Sequence, residues 1–255
     1  VIEGLRIYDP DSTAVSVKNT RAHFIVRNCD LRASWSSSWP AVHLDNVSFG
    51  TIEDCIVALR STGIRAEDST NVTVQYNLVY TTTDGIVFET VTNATIAHNT
   101  VEDSTFYAIK ATVSSNFRCY NNTVELARNG IYCTSSPESV IFNNTVRNTY
   151  TAAITASSCP STSIDDNTVV NGGSFGLYVY AAAGSTISNN RIEGSGLYVV
   201  GYIYEHYNLT VTGNTVNGGE ILYVVSQTGG FIDATNYRQV YLFNCTMVTL
   251  IYGQF

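Results

Sequence analysis

One phrase returns along this chain at nearly fixed intervals. "NNTVELARNGIYC" spans residues 121–133, and "NNTVRNTYTAAIT" spans 143–155. Weaker copies stand near 99, 167, 190 and 214. Aligned on the second Asn of the block, the equivalent positions are Leu5, Cys29, Cys55, Asn77, Asn99, Asn122, Asn144, Asn167, Asn190, Asn214 and Cys245. All intervals but the last, which is 31, fall between 22 and 26 residues. This reads as eleven turns of a repeat with a period near 23.

The neighbouring columns fix the register. The residues three before and two after each aligned position make a set of twenty-two, and all are apolar or Cys. Only 44 % of the chain is hydrophobic, so unrelated loops would not produce that agreement. A third apolar column runs Val15, Val42, Ile64, Ile86, Ile109, Ile131, Ile154 and Leu177, each preceded by Gly or Ala. The apolar residues alternate with period two between turns, which marks short strands. A unit of this length cannot bury its apolar face alone and must stack on its neighbours. The spacing predicts three strands per turn, all-β, in one parallel β-helix domain over 1–255. The small residue before Ile predicts a crowded corner or an unusual φ.

Stacked turns lie about 4.8 Å apart. The aligned asparagines are therefore expected to form a ladder, each amide donating to one neighbour and accepting from the other. Asn also tolerates the left-handed backbone a sharp turn requires.

Phrases such as "NVTVQYNLVYTTTDGIVF" and "SVIFNNTVRNTYTAAIT" resemble repeats of the pectate-lyase-like right-handed β-helix superfamily. They are most similar to its carbohydrate-binding and sugar-hydrolase branch. That branch includes a periplasmic protein of nitrous-oxide reductase maturation and archaeal cell-surface proteins. The resemblance implies the coil over essentially the whole chain but no particular site. Polygalacturonase-like members would carry Asn-Thr-Asp, Asp-Asp, Gly-His-Gly and Arg-Ile-Lys motifs. Here Asp165-Asp166 is the only such pair, beside Asn167.

One outward face carries chemistry. The register stacks Asp45, Glu67 and Glu89, with His43, Arg65 and Lys110 beside them. If the chain is an enzyme, Asp45, Glu67, Glu89, Arg65 and Lys110 would serve a lyase or hydrolase, or the carboxylates would hold Ca²⁺. The bland alternative is a salt-bridge ladder that neutralises itself. Further along, the same face reads Tyr132, Thr155, Tyr178 and Tyr180, a strip able to stack on sugars or pack on another subunit. His23, His43, His98 and His206 show no metal-ligand spacing, and no metal site is expected.

Cys29 and Cys55 occupy the aligned position on adjacent turns, within disulfide reach, and are expected to be linked or at least in van der Waals contact. Cys119 and Cys133 fall in core columns; Cys159 lies in a turn, and Cys245 is placed on the last rung. Asn46, Asn71, Asn93, Asn121, Asn143, Asn208 and Asn244 each begin a glycosylation sequon.

A net charge of −8, with 13 % charged residues, disfavours a nucleic-acid surface. No apolar run is long enough to span a membrane as a helix. The chain opens inside a repeat, which reads as a trimmed product or a piece of a longer chain. Leu242, Met247, Leu250 and Ile251 are expected to extend the core to the end. Two uncapped ends suggest self-association into an extracellular array. The sequence therefore favours a non-catalytic structural protein of the cell surface: layer, sheath, filament or adhesin. A polysaccharide lyase or hydrolase is the second reading, and a carbohydrate-binding module the third. The partners expected are other copies of the chain or a cell-surface polysaccharide.

Overall fold

The computed structural model describes residues 1–8 and 12–251, with the backbone alone for 34–37. Residues 252–255 of the expected terminal core lie outside the described set.

The chain winds as a parallel β-solenoid of about nine turns. One side is a ten-stranded parallel sheet of short strands such as Arg118–Tyr120 and Val140–Phe142. The other two sides share a second sheet, because one long strand per turn bends to serve both, as in Thr123–Thr134 and Thr145–Ser157. The bend falls on a residue with positive φ: Leu59, Thr81, Asp103, Leu126, Asn148 and Asn171 repeat it turn after turn.

The registers match the sequence columns. Val26, Ile52, Val74, Ile96, Cys119, Ile141, Ile164 and Ile187 stack in one inward file. Ile64, Ile86, Ile109, Ile131, Ile154 and Leu177 stack in another. Both files are fully buried or nearly so. The Gly before Ile is a matter of crowding and not of φ. A Cβ on Gly85 would stand 2.4 Å from the Ala108 carbonyl oxygen, and one on Gly130 2.4 Å from that of Ala153.

Seven asparagines form a buried column. Nδ2 of Asn77 donates to Oδ1 of Asn99, and the pattern continues through Asn122, Asn144, Asn167 and Asn190 to Asn214 at 2.8–3.1 Å. Each Oδ1 also accepts the backbone N–H of the preceding turn's asparagine, or of Cys55 at the start. The left-handed residue is not the buried asparagine but the one before it: Tyr76, His98, Asn121, Asn143, Asp166 and Asn189 all have φ near +55°. The first Asn of the block turns the corner, and the second ties the turns together.

A second column was not foreseen. Ser69, Ser114 and Ser136 offer Oγ to the N–H of Val47, Val91 and Ser114. Cys159 takes the next place, its Sγ 3.4 Å from the N–H of Ser136.

The eleventh repeat departs from the coil. After Asn214 the chain folds back, and Thr215–Val216 pairs antiparallel with Gly219–Val225. Tyr237–Phe243 then pairs with Gly219–Val225, so Leu242 stacks on Val224 and not on Val211. Cys245 consequently has no place in the asparagine column. Met247 is 80 % exposed and Leu250 is exposed, so neither extends the core. The last interval of 31 residues is the trace of this hairpin.

Asn144 donates to the carbonyls of Cys119 and Phe142 and to Asn167, and accepts from Asn122. Asn144→Ala removes these bonds and leaves the buried backbone N–H of Asn122 without its acceptor, at about 1–3 kcal/mol for a buried group that finds no other. Thermal melting should therefore drop far more for Asn144→Ala than for the outward Thr134→Ala.

Candidate functional site

The outward surface of the third side is built from three files of residues. One runs His43, Arg65, Val87, Lys110, Tyr132, Thr155, Tyr178 and Tyr198. Beside it run Lys18, Asp45, Glu67, Glu89, Thr112, Thr134, Ser157 and Tyr180. On the other flank lie Asp84, Tyr107, Asn129, Ala152 and Phe175. The face is charged over its first turns and aromatic over the later ones.

The charged part is closed upon itself. Asp45 pairs with Lys18 at 3.3 Å. Glu67 meets His43 at 2.7 Å and Arg65 at 2.9 Å. Glu89 meets Arg65 at 2.6 Å and Lys110 at 3.1 Å. Burial pushes the Glu67 carboxyl up, but the hydrogen bonds from His43 and Arg65 and their charges outweigh it, and the group titrates below its ordinary value. Asp45, Glu67 and Glu89 do stack as expected, yet each is held by a cation. A glycosidase pair needs one carboxyl able to carry a proton and one free to act as base or nucleophile. In this arrangement the oxygens of all three are engaged by neighbouring basic side chains. Asp84, missed in the sequence, is the carboxyl on this face with a raised pKa. Burial raises it, against the N–H of Tyr107, which donates to it at 3.2 Å, and the charge of Lys110.

The aromatic part encloses a hollow of about 490 Å³. Tyr132, Phe175, Tyr178, Tyr180 and Tyr198 supply its rings. Asn129, Thr151, Thr155 and Ser157 supply polar groups. Tyr132, Tyr178 and Tyr180, singled out in the sequence, come together here. Phe175 and Tyr198 join them, with ring centroids 4.7 Å apart. Tyr198 was hidden by a short turn, since Leu197 follows Leu177 by 20 residues. Burial raises the hydroxyls of Tyr132 and Tyr178, and Tyr202 helps to raise that of Tyr180 to about 12. All three are neutral donors at physiological pH.

Other residues singled out in the sequence lie elsewhere on the coil. Asp165 accepts from Ser188 and Asn189, and Asp166 is a left-handed corner. His98 stacks on Tyr76 at 4.8 Å on the opposite side of the coil. Six sequon asparagines, all but Asn208, stand at left-handed corners. Of these, Asn46, Asn93, Asn143 and Asn244 donate their amides to neighbouring turns or loops. Cys29 and Cys55 are not linked but their side chains do meet: both are buried free thiols, each donating to the carbonyl two residues back. Cys133 and Cys159 are a second close pair, with sulfurs 3.5 Å apart.

Sheet order, register and winding define a pectate-lyase-like right-handed β-helix. An alginate lyase from Paenibacillus sp. str. FPU-7 matches at TM-score 0.64 and 12 % identity, over 94 % of this chain and 92 % of that one. Tailspike protein 2 from Escherichia coli O157:H7 bacteriophage CAB120 matches at TM-score 0.62 and 13 % identity, over 98 % of this chain and 39 % of that one. A DFA-IIIase from Arthrobacter chlorophenolicus A6 in complex with GF2 matches at 0.53 and 12 %, over 88 % and 57 %. These likenesses concern the fold. No curated protein matches by sequence. The chain belongs to the family described as periplasmic copper-binding protein (NosD), whose model matches residues 1–125 and again 51–243.

The soft donors that could meet copper are few, the closest being the buried thiols of Cys133 and Cys159. Among the described residues no three His, Cys, Asp or Glu gather where a metal ion could be held. Met247, the one thioether of the chain, is 80 % exposed in the terminal region.

Two measurements follow from this geometry. Because Glu67 titrates low when folded, its pairs stabilise the fold at neutral pH and are lost as pH falls through that depressed value. Glu67→Gln should lower the melting temperature by a few degrees at neutral pH and by less in acid. For the cysteines, native alkylation should modify Cys245, the half-buried thiol, and spare the five buried ones until denaturant is added.

Proposed function

We propose that this chain is a non-catalytic polysaccharide-binding protein acting outside the cytoplasm, its coil a rigid structural body and its third side the gripping face. The observation that carries the reading is the hollow beside Thr155. Aromatic rings and hydroxyl or amide groups share one wall there, the mixture that sugar rings require: C–H faces against π systems and hydroxyls against polar groups. A structural neighbour named as an alginate lyase supports carbohydrate work on this fold, and the periplasmic description of the family supports a place outside the cytoplasm. The mutual neutralisation of Asp45, Glu67 and Glu89 disfavours catalysis on that column.

A second reading is favoured by Asp84 alone. A half-buried carboxyl with a raised pKa, near Lys110, is the type of group that can hold a proton for an acid–base step. In that reading the chain cleaves the glycan it binds.

Affinity electrophoresis in gels containing soluble polysaccharides tests the proposal. At least one neutral polysaccharide should retard the protein. Tyr198→Ala should reduce the retardation, and Tyr76→Ala, on the opposite side of the coil, should leave it unchanged. Incubation should release no oligosaccharides. Release that is abolished by Asp84→Asn would replace binding by catalysis.

A further inference from the structure

The hollow is a missing rung in a file of rings. Tyr132 on one turn and Tyr178 on the next but one are in register through Thr155. Beside them, Ala152 stands between Asn129 and Phe175, and Ser157 between Thr134 and Tyr180. The turn Thr145–Ser157 thus presents Ala and Thr at positions where the next turn presents Phe175 and Tyr178. Where successive turns both carry rings, the spacing is that of the coil. Tyr120 and Phe142, in register on successive turns of another side, have centroids 4.8 Å apart, and Tyr178 and Tyr198 5.7 Å. Across Thr155 the backbones carrying rings are two rungs apart, roughly 9.6 Å. One inserted ring would have an aromatic neighbour on each face at close to the ordinary spacing.

The gap selects the kind of ring. Carbon atoms in contact approach to about 3.5–4.0 Å, so a flat ring between two aromatic walls fills only about 7–8 Å. A nucleobase or indole would touch one wall and leave the other. A puckered saturated ring, with axial hydrogens on both faces, is thicker and reaches both. Its equatorial hydroxyls point outward in the ring plane, toward Thr155, Ser157 and Asn129. The charge argument narrows it further. No charged side chain lines the hollow, and Lys110, the nearest cation along the file, is engaged by Glu89. The chain as a whole carries −8, so an anionic glycan would meet repulsion without a compensating partner.

We propose that the hollow seats one pyranose ring of a neutral glycan, sandwiched between Tyr132 on one face and Tyr178 on the other, with Phe175 tilted beside Tyr178. The proposal rests on the polysaccharide-binding reading and adds its ligand class and its pocket. Thr155 is the specificity-determining position: small enough to leave the rung empty, and polar enough to meet a hydroxyl.

The test fills the rung. Isothermal titration of the wild-type chain with cellohexaose, mannohexaose and laminarihexaose should find binding to at least one. Mannuronate oligomers of equal length and adenosine should bind more weakly. Thr155→Tyr should complete the ring file and weaken binding by about tenfold or more, the loss of both stacking contacts. Tyr178→Ala should weaken it comparably by removing one wall. This second variant keeps the proposal testable if Thr155→Tyr fails to fold, with circular dichroism checking each. Affinity within twofold of wild type in both variants overturns the slot while leaving glycan binding in place. Tighter binding of adenosine or of the uronate overturns the ligand class. Failure of the wild type to bind any saccharide overturns the polysaccharide reading and the slot with it.

Discussion

Each asparagine of the column from Asn77 to Asn190 bonds to turns on both sides of its own. Its amide nitrogen donates to the next asparagine and to two carbonyls, and its oxygen receives an N–H from the turn before. That arrangement holds a backbone bend inside the protein, where water cannot satisfy it. The bend in turn keeps successive turns at one spacing and in one register. Everything on the surface of the coil inherits that register.

Register turns single residues into files. Like charges on adjacent turns are forced together, and the chain answers with cations placed between them. Arg65 bridges Glu67 and Glu89, and His43 and Lys110 close the ends. The same constraint lines up rings. Where one turn substitutes Ala152 and Thr155 for bulky residues, the file opens, and an open rung between rings is a pocket. Both the charged and the open aromatic parts of this face come from one geometric rule applied to different side chains.

The buried thiols obey the rule too. Cys29 and Cys55 take the asparagine position at the start of the coil, and Cys159 takes a serine position. A thiol is small and weakly polar, so it fits either file without disturbing it. Adjacency that invites a disulfide on spacing grounds is met here by sulfurs bonded to backbone carbonyls. The coil ends where the file ends. Past Asn214 no further asparagine extends the column, and the chain turns back into a hairpin.

The sequence by itself determined the coil, its period and its inward files, because stacking makes the same contact recur and so makes the same residue type recur. Asn144 or Ile131 could be placed without coordinates for that reason. It also determined that Asp45, Glu67 and Glu89 share a file. What it could not decide was whether those carboxylates are free, since pairing depends on how the long side chains of Arg65 and Lys110 reach across turns. Nor could it place Tyr198, which follows a shortened turn that breaks the period, bring Phe175 beside it from the flanking file, or see that Asp84 is half-buried. The pocket is the clearest case. A Thr among tyrosines reads as one more polar residue, and only the tertiary register shows that it leaves a ring-sized space, because a gap is a relation between neighbouring turns and has no residue of its own.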